Sequence, residues 1–361
     1  MASKIVFFVF DPSPRIDRRI KEFIGNGYEV EVYGFANDVN IKYVTNDVYK
    51  YNLLAEMKPG MSYIKRANNV KLLLDVIKSY DKKNTIFYFF TLNVAVATLL
   101  TPGIKYIYEE SDMLFDRCGK DILKKTVIAI NKRIIKKSAL TVFTSEGFGE
   151  FYYGKKVLAN ICVVPNRVSV DCLNLPAVER TPFNPNHIRI GFVGNIRYQS
   201  ILNVSKLVSE KFPQYEFHYY GNTEGLSEDQ KQELKSQANV ICHGLFKNPT
   251  DLPTIYSSID VVVCTYDVKG VNPRYAEPNK LYEAIYYRTP MMVSSGSFLA
   301  DKVDRLGIGF SVDADNLDDI ESKIRNLTGE TYSKYMASLN KIPQKTAVSI
   351  NDELFARVSK L

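Results

Sequence analysis

The chain of 361 residues has no apolar run long enough to span a bilayer; the best, 86–100, is interrupted by Thr91 and Asn93 and reads as a strand turning into a helix. Its first apolar stretch is too short for a signal peptide and no small-residue cleavage site follows, so the expected location is the cytoplasm. Cysteine is scarce. Cys118, Cys162, Cys172, Cys242 and Cys264 are odd in number and include no C-x-x-C pair, which argues against a disulfide framework or a thiolate zinc site and leaves buried thiols. Histidine is scarcer, with His187, His218 and His243 all in the second half. Ser145 and Ser295 stand in no visible histidine motif, so a serine nucleophile is unsupported. No G-x-G-x-x-G follows the first strand, which removes a dinucleotide fingerprint there. No repeat of about 20–50 residues and no low-complexity segment is present. The formal charge of +7 is too modest over this length to call for nucleic acid as a partner.

What is present alternates. At this length two domains are the natural expectation. Residues 4–10 form a continuous β-prone run of the kind buried on both faces in a parallel sheet, and 15–26 follow as a helix with Ile16, Ile20, Phe23 and Ile24 on one side. The loop between them, carrying Asp11, Ser13 and Arg15, leaves a strand carboxyl end, where open parallel sheets bind ligands. The acidic loop 109–112 leaves another and reads otherwise as a helix-capping turn. Strands and helices continue at this rhythm to 164, then restart after the Pro/Asn-rich stretch 181–186, which reads as a linker. Three strands of the second half run straight into Gly194, Gly221 and Gly244, and glycines in register suggest one site along one sheet edge. The fold class is therefore α/β, with two doubly wound domains: 1–180, joined by a returning C-terminal helix at 345–361, and 187–344.

Two stretches carry distinctive charge. Residues 120–137 hold seven basic residues against Asp121, with Leu123, Val127, Ile130 and Ile134 in helical steps. Such a basic amphipathic helix covers a sheet with solvated lysines, or rests against anionic lipid headgroups. The stretch Glu277-Pro-Asn-Lys-Leu-Tyr-Glu283 combines two carboxylates, a lysine and a proline-started helix. With Pro278 at the first helical position, the amides of Asn279, Lys280 and Leu281 project from a helix N-terminus, which with Lys280 makes a phosphate seat, while Glu283 is placed to accept hydrogen bonds from ribose hydroxyls. The plain alternative is an ordinary capped helix before a buried strand.

Gly191-Phe-Val-Gly-Asn-Ile-Arg-Tyr198, Phe217-His-Tyr-Tyr-Gly221, Val240-Ile-Cys-His-Gly244, Asp260-Val-Val-Val and Pro278-Asn-Lys-Leu-Tyr-Glu283 through Thr289-Pro-Met-Met-Val293 resemble, in order, the motifs of GT-B glycosyltransferases, notably the family 4 group of bacterial surface polysaccharide assembly. The Asp11 loop, Tyr108-Glu-Glu-Ser-Asp112 and Val163-Val-Pro-Asn-Arg167 fit that group in the first half. The resemblance implies two Rossmann-like domains facing across a cleft. It implies retaining transfer of a sugar from a UDP- or GDP-linked donor to a glycan or lipid-linked acceptor, as in capsular polysaccharide or lipopolysaccharide, by a peripheral enzyme at the inner face of the cell membrane. Arg197 and Lys280 would neutralise the departing diphosphate, where charge grows in the transition state. Glu283 would hold the ribose. The backbone at Gly244 and Phe246 would cradle the base, Gly194 would let the diphosphate approach, and Asn195, Tyr220, Gly221, Asn279 and Leu281 would complete the donor side. Asp112, Asp11, Ser13 and Arg15 would face the reacting sugar or the acceptor. The resemblance implies no resident metal or other cofactor.

The chain departs from the pattern at Tyr275: eight positions before Glu283, it occupies the place of the first of two glutamates separated by seven residues, so Glu277, six positions before, is out of register. With no histidine in the first half, Asp112 is the alternative base for an inverting reaction. Asp313-Ala-Asp315 matches a metal-binding D-x-D but precedes a helix and reads as its cap. His243 reads as a strand-end core residue first and as a contact to the base second. A nucleotide-sugar 2-epimerase of the same fold and a non-catalytic sugar-binding scaffold are the alternative functions.

Overall fold

The computed structural model describes residues 4–45, 47–57, 63–156, 158–196 and 198–361. The chain folds as two compact units, Met1–Val164 with Asn351–Leu361, and Pro165–Ile350.

In the first unit β1 (Lys4–Val9), β2 (Glu29–Asn37), β3 (Tyr51–Met57), β4 (Thr85–Phe90), β5 (Lys105–Glu110), β6 (Leu140–Phe143) and β7 (Ile161–Val163) form a parallel sheet in the order β3-β2-β1-β4-β5-β6-β7. Between them run α1 (Pro14–Gly25), α2 (Tyr63–Lys78), α3 (Leu92–Ala95), α4 (Asp121–Lys137) and α5 (Glu146–Tyr153). Every residue of β4 is buried, because helices cover both faces of a parallel sheet. Edge strand β3, by contrast, exposes Leu53 and buries only Tyr51, so it lacks the apolar run that marks its neighbours and sequence reading misses it. The acidic segment after Tyr108 also differs from expectation. Glu109 and Glu110 are the last two residues of β5, and both are buried rather than forming a solvated turn.

In the second unit β8 (Arg189–Val193), β9 (Glu216–Tyr220), β10 (Val240–Gly244), β11 (Val261–Cys264), β12 (Met291–Ser294) and β13 (Gly309–Val312) form a parallel sheet ordered β10-β9-β8-β11-β12-β13. The helices are α6 (Gln199–Lys211), α7 (Glu228–Ser236), α8 (Leu252–Ser258), α9 (Val271–Tyr275), α10 (Asn279–Tyr286), α11 (Phe298–Leu306), α12 (Leu317–Arg325) and α13 (Gly329–Lys341). Alternate strand residues feed two cores: Val262 and Val293 pack with α8, α10 and α11, while Val261, Val263 and Met292 pack with α6 and α12. In each sheet the strand order reverses beside the first strand, between β1 and β4 and between β8 and β11. Loops leaving those two carboxyl ends diverge and leave a crevice, the standard ligand position in such sheets.

The stretch 181–186, read as a linker, is packed within the second unit. Thr181 N–H donates to Ser257 O at 3.2 Å, and the Phe183 ring stacks on Tyr332 with centroids 3.9 Å apart. Proline and asparagine there signal irregular backbone, which makes contacts as freely as regular backbone does. The chain returns to the first unit in α14 (Asp352–Val358), shorter than the expected 345–361 because 344–347 is a 3₁₀ turn of the second unit. Leu354 and Val358 enter the first core, and Phe355 meets Phe23 edge-on at 5.0 Å.

Three other expectations change. Cys242 is exposed on edge strand β10 rather than buried. His243 is also exposed, its ring lying flat on Tyr220 at 4.1 Å. The apolar stripe of α4 packs only at its end: Asn131, Ile134 and Ile135 are buried, whereas Ile122 is 82% and Leu123 51% exposed. Among the described residues no helix is long and apolar enough to cross a membrane.

Candidate functional site

The stretch after β11 builds the site at the switch point of the second sheet. Pro278 is the N-cap of α10 (φ −74°, ψ 154°), one position earlier than expected, so Asn279 is the first helical residue. Leu281 nevertheless does not join the ligand side: its N–H donates to Pro278 O at 3.1 Å, and its side chain is fully buried in the core. Asn279, Lys280 and Glu283 instead line a pocket of about 240 Å³ together with Gly194, Asn195 and Phe246. Its remaining walls, Phe192, Val193, Tyr198 and Tyr266, are residues to which sequence reading gave no role. Tyr266 follows β11 and borders the switch point, so the strand order would have found it.

Lys280 is only 7% exposed, its ammonium lies 4.8 Å from the Phe192 ring centroid, and no carboxylate pairs with it among the described residues. A buried ammonium without a counter-charge is costly, and the pocket beside it is the place where an anion would supply that charge. Glu283, 4% exposed, accepts hydrogen bonds from Tyr256 Oη at 2.6 Å and Asn279 Nδ2 at 2.7 Å. Burial, with the negative field of Glu283, pushes the Tyr256 phenol well above its ordinary range, so Tyr256 stays a donor.

The strand-end glycines are stitched together. Gly194 N–H donates to Tyr220 O and Gly221 N–H to Gly244 O, both at 2.7 Å. Gly194 has φ 137°, and a Cβ there would stand 2.9 Å from Lys280 Nζ, so only glycine leaves the ammonium its place. Gly221, Gly244 and Tyr220 are not among the residues that line the pocket; the Tyr220 hydroxyl is 3.1 Å from Ser258 Oγ. Asn195 is an exposed rim residue. Arg197 lies outside the described residues.

Glu277 does not join this pocket. Its carboxylate accepts from Tyr282 Oη at 3.0 Å and from the Lys302 ammonium, which fastens the entry of α10 to α11. Asp313 and Asp315 do not cap α12, because Asn316 does so through the amides of Asp318 and Asp319; Asp313 Oδ1 accepts the Asp315 N–H at 3.1 Å. Among the described residues no cluster of His, Cys, Asp or Glu has a metal-holding arrangement.

In the first unit the expected acceptor-side residues gather at the carboxyl edge of the sheet, each with a local partner. Asp11 Oδ2 accepts from Asn37 Nδ2 (2.9 Å) and Asn40 Nδ2 (2.8 Å), Ser13 caps α1 through Ile16 N–H, and Arg15 pairs with Glu109. Burial raises the affinity of Glu109 for a proton, but Arg19 and Arg15 more than reverse this and hold its carboxyl below the usual range. The adjacent Glu110 behaves oppositely: burial pushes it up to about 8, against hydrogen bonds from Tyr152 Oη and Asn131 Nδ2. Asp112 is exposed just past the strand end. Sequence reading missed Thr91, which leaves β4 at the first switch point with φ 72° and ψ 159°, a conformation that threonine rarely adopts, and with a buried hydroxyl lacking a hydrogen-bond partner.

Residues 177–341 match the family model described as Glycosyl transferases group 1. No curated protein matches the sequence. Among solved structures, Anabaena HepE in complex with UDP-glucose is similar at 15% identity and TM-score 0.70, covering 99% of this chain and 100% of that one. Staphylococcus aureus TarM, in complex with fondaparinux, alpha-GlcNAc-glycerol and UDP, follows at 11% identity and TM-score 0.65, covering 99% of each chain. A putative UDP-N-acetylglucosamine 2-epimerase from Listeria monocytogenes is similar at 11% identity and TM-score 0.62, covering 100% of this chain and 96% of that one. The resemblance to GT-B glycosyltransferases is thus borne out, by sequence in the second half and by fold along the whole length.

Proposed function

We propose that the protein is a glycosyltransferase that takes a sugar from a nucleoside diphosphate donor, UDP- or GDP-linked, bound at the α10 pocket of the second unit. The observation that carries this reading is Lys280, a buried ammonium without a carboxylate partner among the described residues, beside a glycine that leaves it room. The diphosphate sits against Lys280 and the first amides of α10, and the ribose hydroxyls donate to Glu283, which Tyr256 and Asn279 hold in place. The base lies along the backbone at Gly244 and Phe246. As the bond from the anomeric carbon to the donor's phosphate oxygen breaks, negative charge grows on the diphosphate, where Lys280 and Arg197 stabilise it. A bond forms from the anomeric carbon to an acceptor hydroxyl, whose proton passes to the departing phosphate oxygen. In the retaining reading the acceptor enters on the face the diphosphate leaves. Asp112, with Asp11, Ser13 and Arg15 nearby in the first unit, serves the acceptor side. The chemistry as drawn uses positive side chains and needs no metal.

The acceptor in this reading is a glycan or lipid-linked intermediate of surface polysaccharide assembly, met at the cytoplasmic face of the membrane. Exposed Ile122 and Leu123 at the start of α4, flanked by Lys120, Lys124 and Lys125, support contact with an anionic lipid surface.

Incubation with UDP- and GDP-sugars and a lipid-linked acceptor tests the reading. Acceptor-dependent release of nucleoside diphosphate with a glycosylated product is expected. Isomerised donor without acceptor would instead mean an epimerase, and tight nucleotide binding without turnover of any donor would mean a scaffold.

A further inference from the structure

The second unit contains another pocket, about 440 Å³, larger than the 240 Å³ pocket at the amino end of α10 and sharing no residue with it. It lies at the carboxyl end of α10, under the strap 172–180. Two guanidiniums, Arg180 and Arg288, line it, and no lining residue is a carboxylate.

Arg180 donates to Ile259 O (2.7 Å), Tyr287 O (2.8 Å) and Thr289 Oγ1 (2.6 Å), all uncharged. Asp260 attracts it through space, but that carboxylate is already gripped by Arg189 at 2.9 and 2.6 Å. Arg288 donates to Leu339 O and pairs with no acid among the described residues. Burial makes both guanidiniums weaker proton holders than usual, at Arg180 against the pull of Tyr332 and Asp260. Arg288 also has φ 56°, a left-handed backbone that suits glycine and, less readily, asparagine, and that arginine adopts at a cost. An arginine is therefore held there at a conformational cost, lining the cavity while it donates to Leu339 O.

The other walls are apolar or aromatic, among them Pro176, Val178, Pro253 and Tyr287. The Tyr287 hydroxyl is buried, has no oxygen or nitrogen partner, and lies against the Cys172 thiol. We propose that this pocket binds a small amphiphilic anion, its carboxylate or phosphate on Arg180 and Arg288 and its hydrocarbon or aromatic body along Val178 and Pro253. The volume is that of a small-molecule site, and guanidiniums recognise both head groups. A direct path leads from this pocket to the first: the Tyr287 ring stacks on Tyr256 at 5.1 Å, and Tyr256 Oη donates to Glu283 at 2.6 Å.

The chain contains no tryptophan, so Val178→Trp at the 42% exposed lip supplies a single fluorescent reporter. Octyl phosphate and octanoate, kept below micelle formation, represent the lipid-phosphate and fatty-acid sources of this chemistry. At least one is expected to change the indole emission saturably at one ligand per chain. Adding Arg288→Gly, which relieves the left-handed backbone, should weaken that binding at least about tenfold with the fold retained. Arg288→Asn, also compatible with left-handed backbone, serves as the second variant. No response to either anion, an equal response to octan-1-ol, or unchanged affinity in both Arg288 variants overturns the proposal.

Discussion

At the scale of single residues, the sites draw on side chains whose burial costs the fold stability. Lys280 is the clearest, and it gives opposite signs for stability and function. Lys280→Met keeps a buried apolar stem and removes the unpaired charge, so the melting temperature should hold or rise. Affinity for UDP or GDP, measured by calorimetry, should fall by about ten- to a hundredfold, the usual effect of losing a charged hydrogen bond. Equal affinity in both proteins would remove Lys280 from the donor site. Glu110 makes a second residue-scale prediction. Its folded value of about 8 lies above the ordinary 4.5, so between those limits the folded chain holds a proton that the unfolded chain has released. This contribution to stability is full below about pH 4.5 and declines as pH rises toward 8, by at most about 1.4 kcal/mol per unit. Thermal unfolding of Glu110→Gln across that range should lack this decline; the same slope in both proteins would contradict the assignment. Thr91→Gly should relieve the strained turn after β4 and raise stability by about 1 kcal/mol, and a loss would show that the threonine side chain holds the turn.

At the scale of elements, α4 divides into a packed end and an exposed start. Ile122→Ser with Leu123→Ser should leave thermal stability unchanged, because both side chains face solvent, while sedimentation with vesicles rich in anionic lipid falls sharply. Equal sedimentation would place any membrane contact elsewhere. The same helix shows what sequence can convey. Its period was legible, since Ile130 and Ile134 recur in helical steps, but how much of the stripe would find a partner depends on elements distant in the chain. Central strands were legible for a related reason: burial on both faces demands the apolar runs of β1 and β4. Edge strand β3 has no such demand, and the linker reading of 181–186 treated irregular backbone as unpacked backbone. In the site, Gly194, Asn279, Lys280 and Glu283 were legible because glycine and charge carry local reasons. Tyr266 and Phe192 were not, because any apolar strand end supplies such side chains and only topology brings them to the pocket.

At the scale of the molecule, the last residues of the chain complete the first unit rather than the second. Truncation after Ile350 removes Leu354 and Val358 from the first core and leaves nearby aromatic surface uncovered, so it should destabilise the first unit. The second unit should keep its nucleotide affinity, and loss of that affinity would mean that the donor site depends on more than the second unit. The central claim remains the nucleotide seat at the amino end of α10. It is tested most directly by a crystal structure of the protein soaked with UDP or GDP. Phosphate oxygens are expected within hydrogen-bond distance of Lys280 Nζ and the ribose hydroxyls on Glu283; a nucleotide bound elsewhere, or bound there with Lys280 turned away, would contradict the assignment.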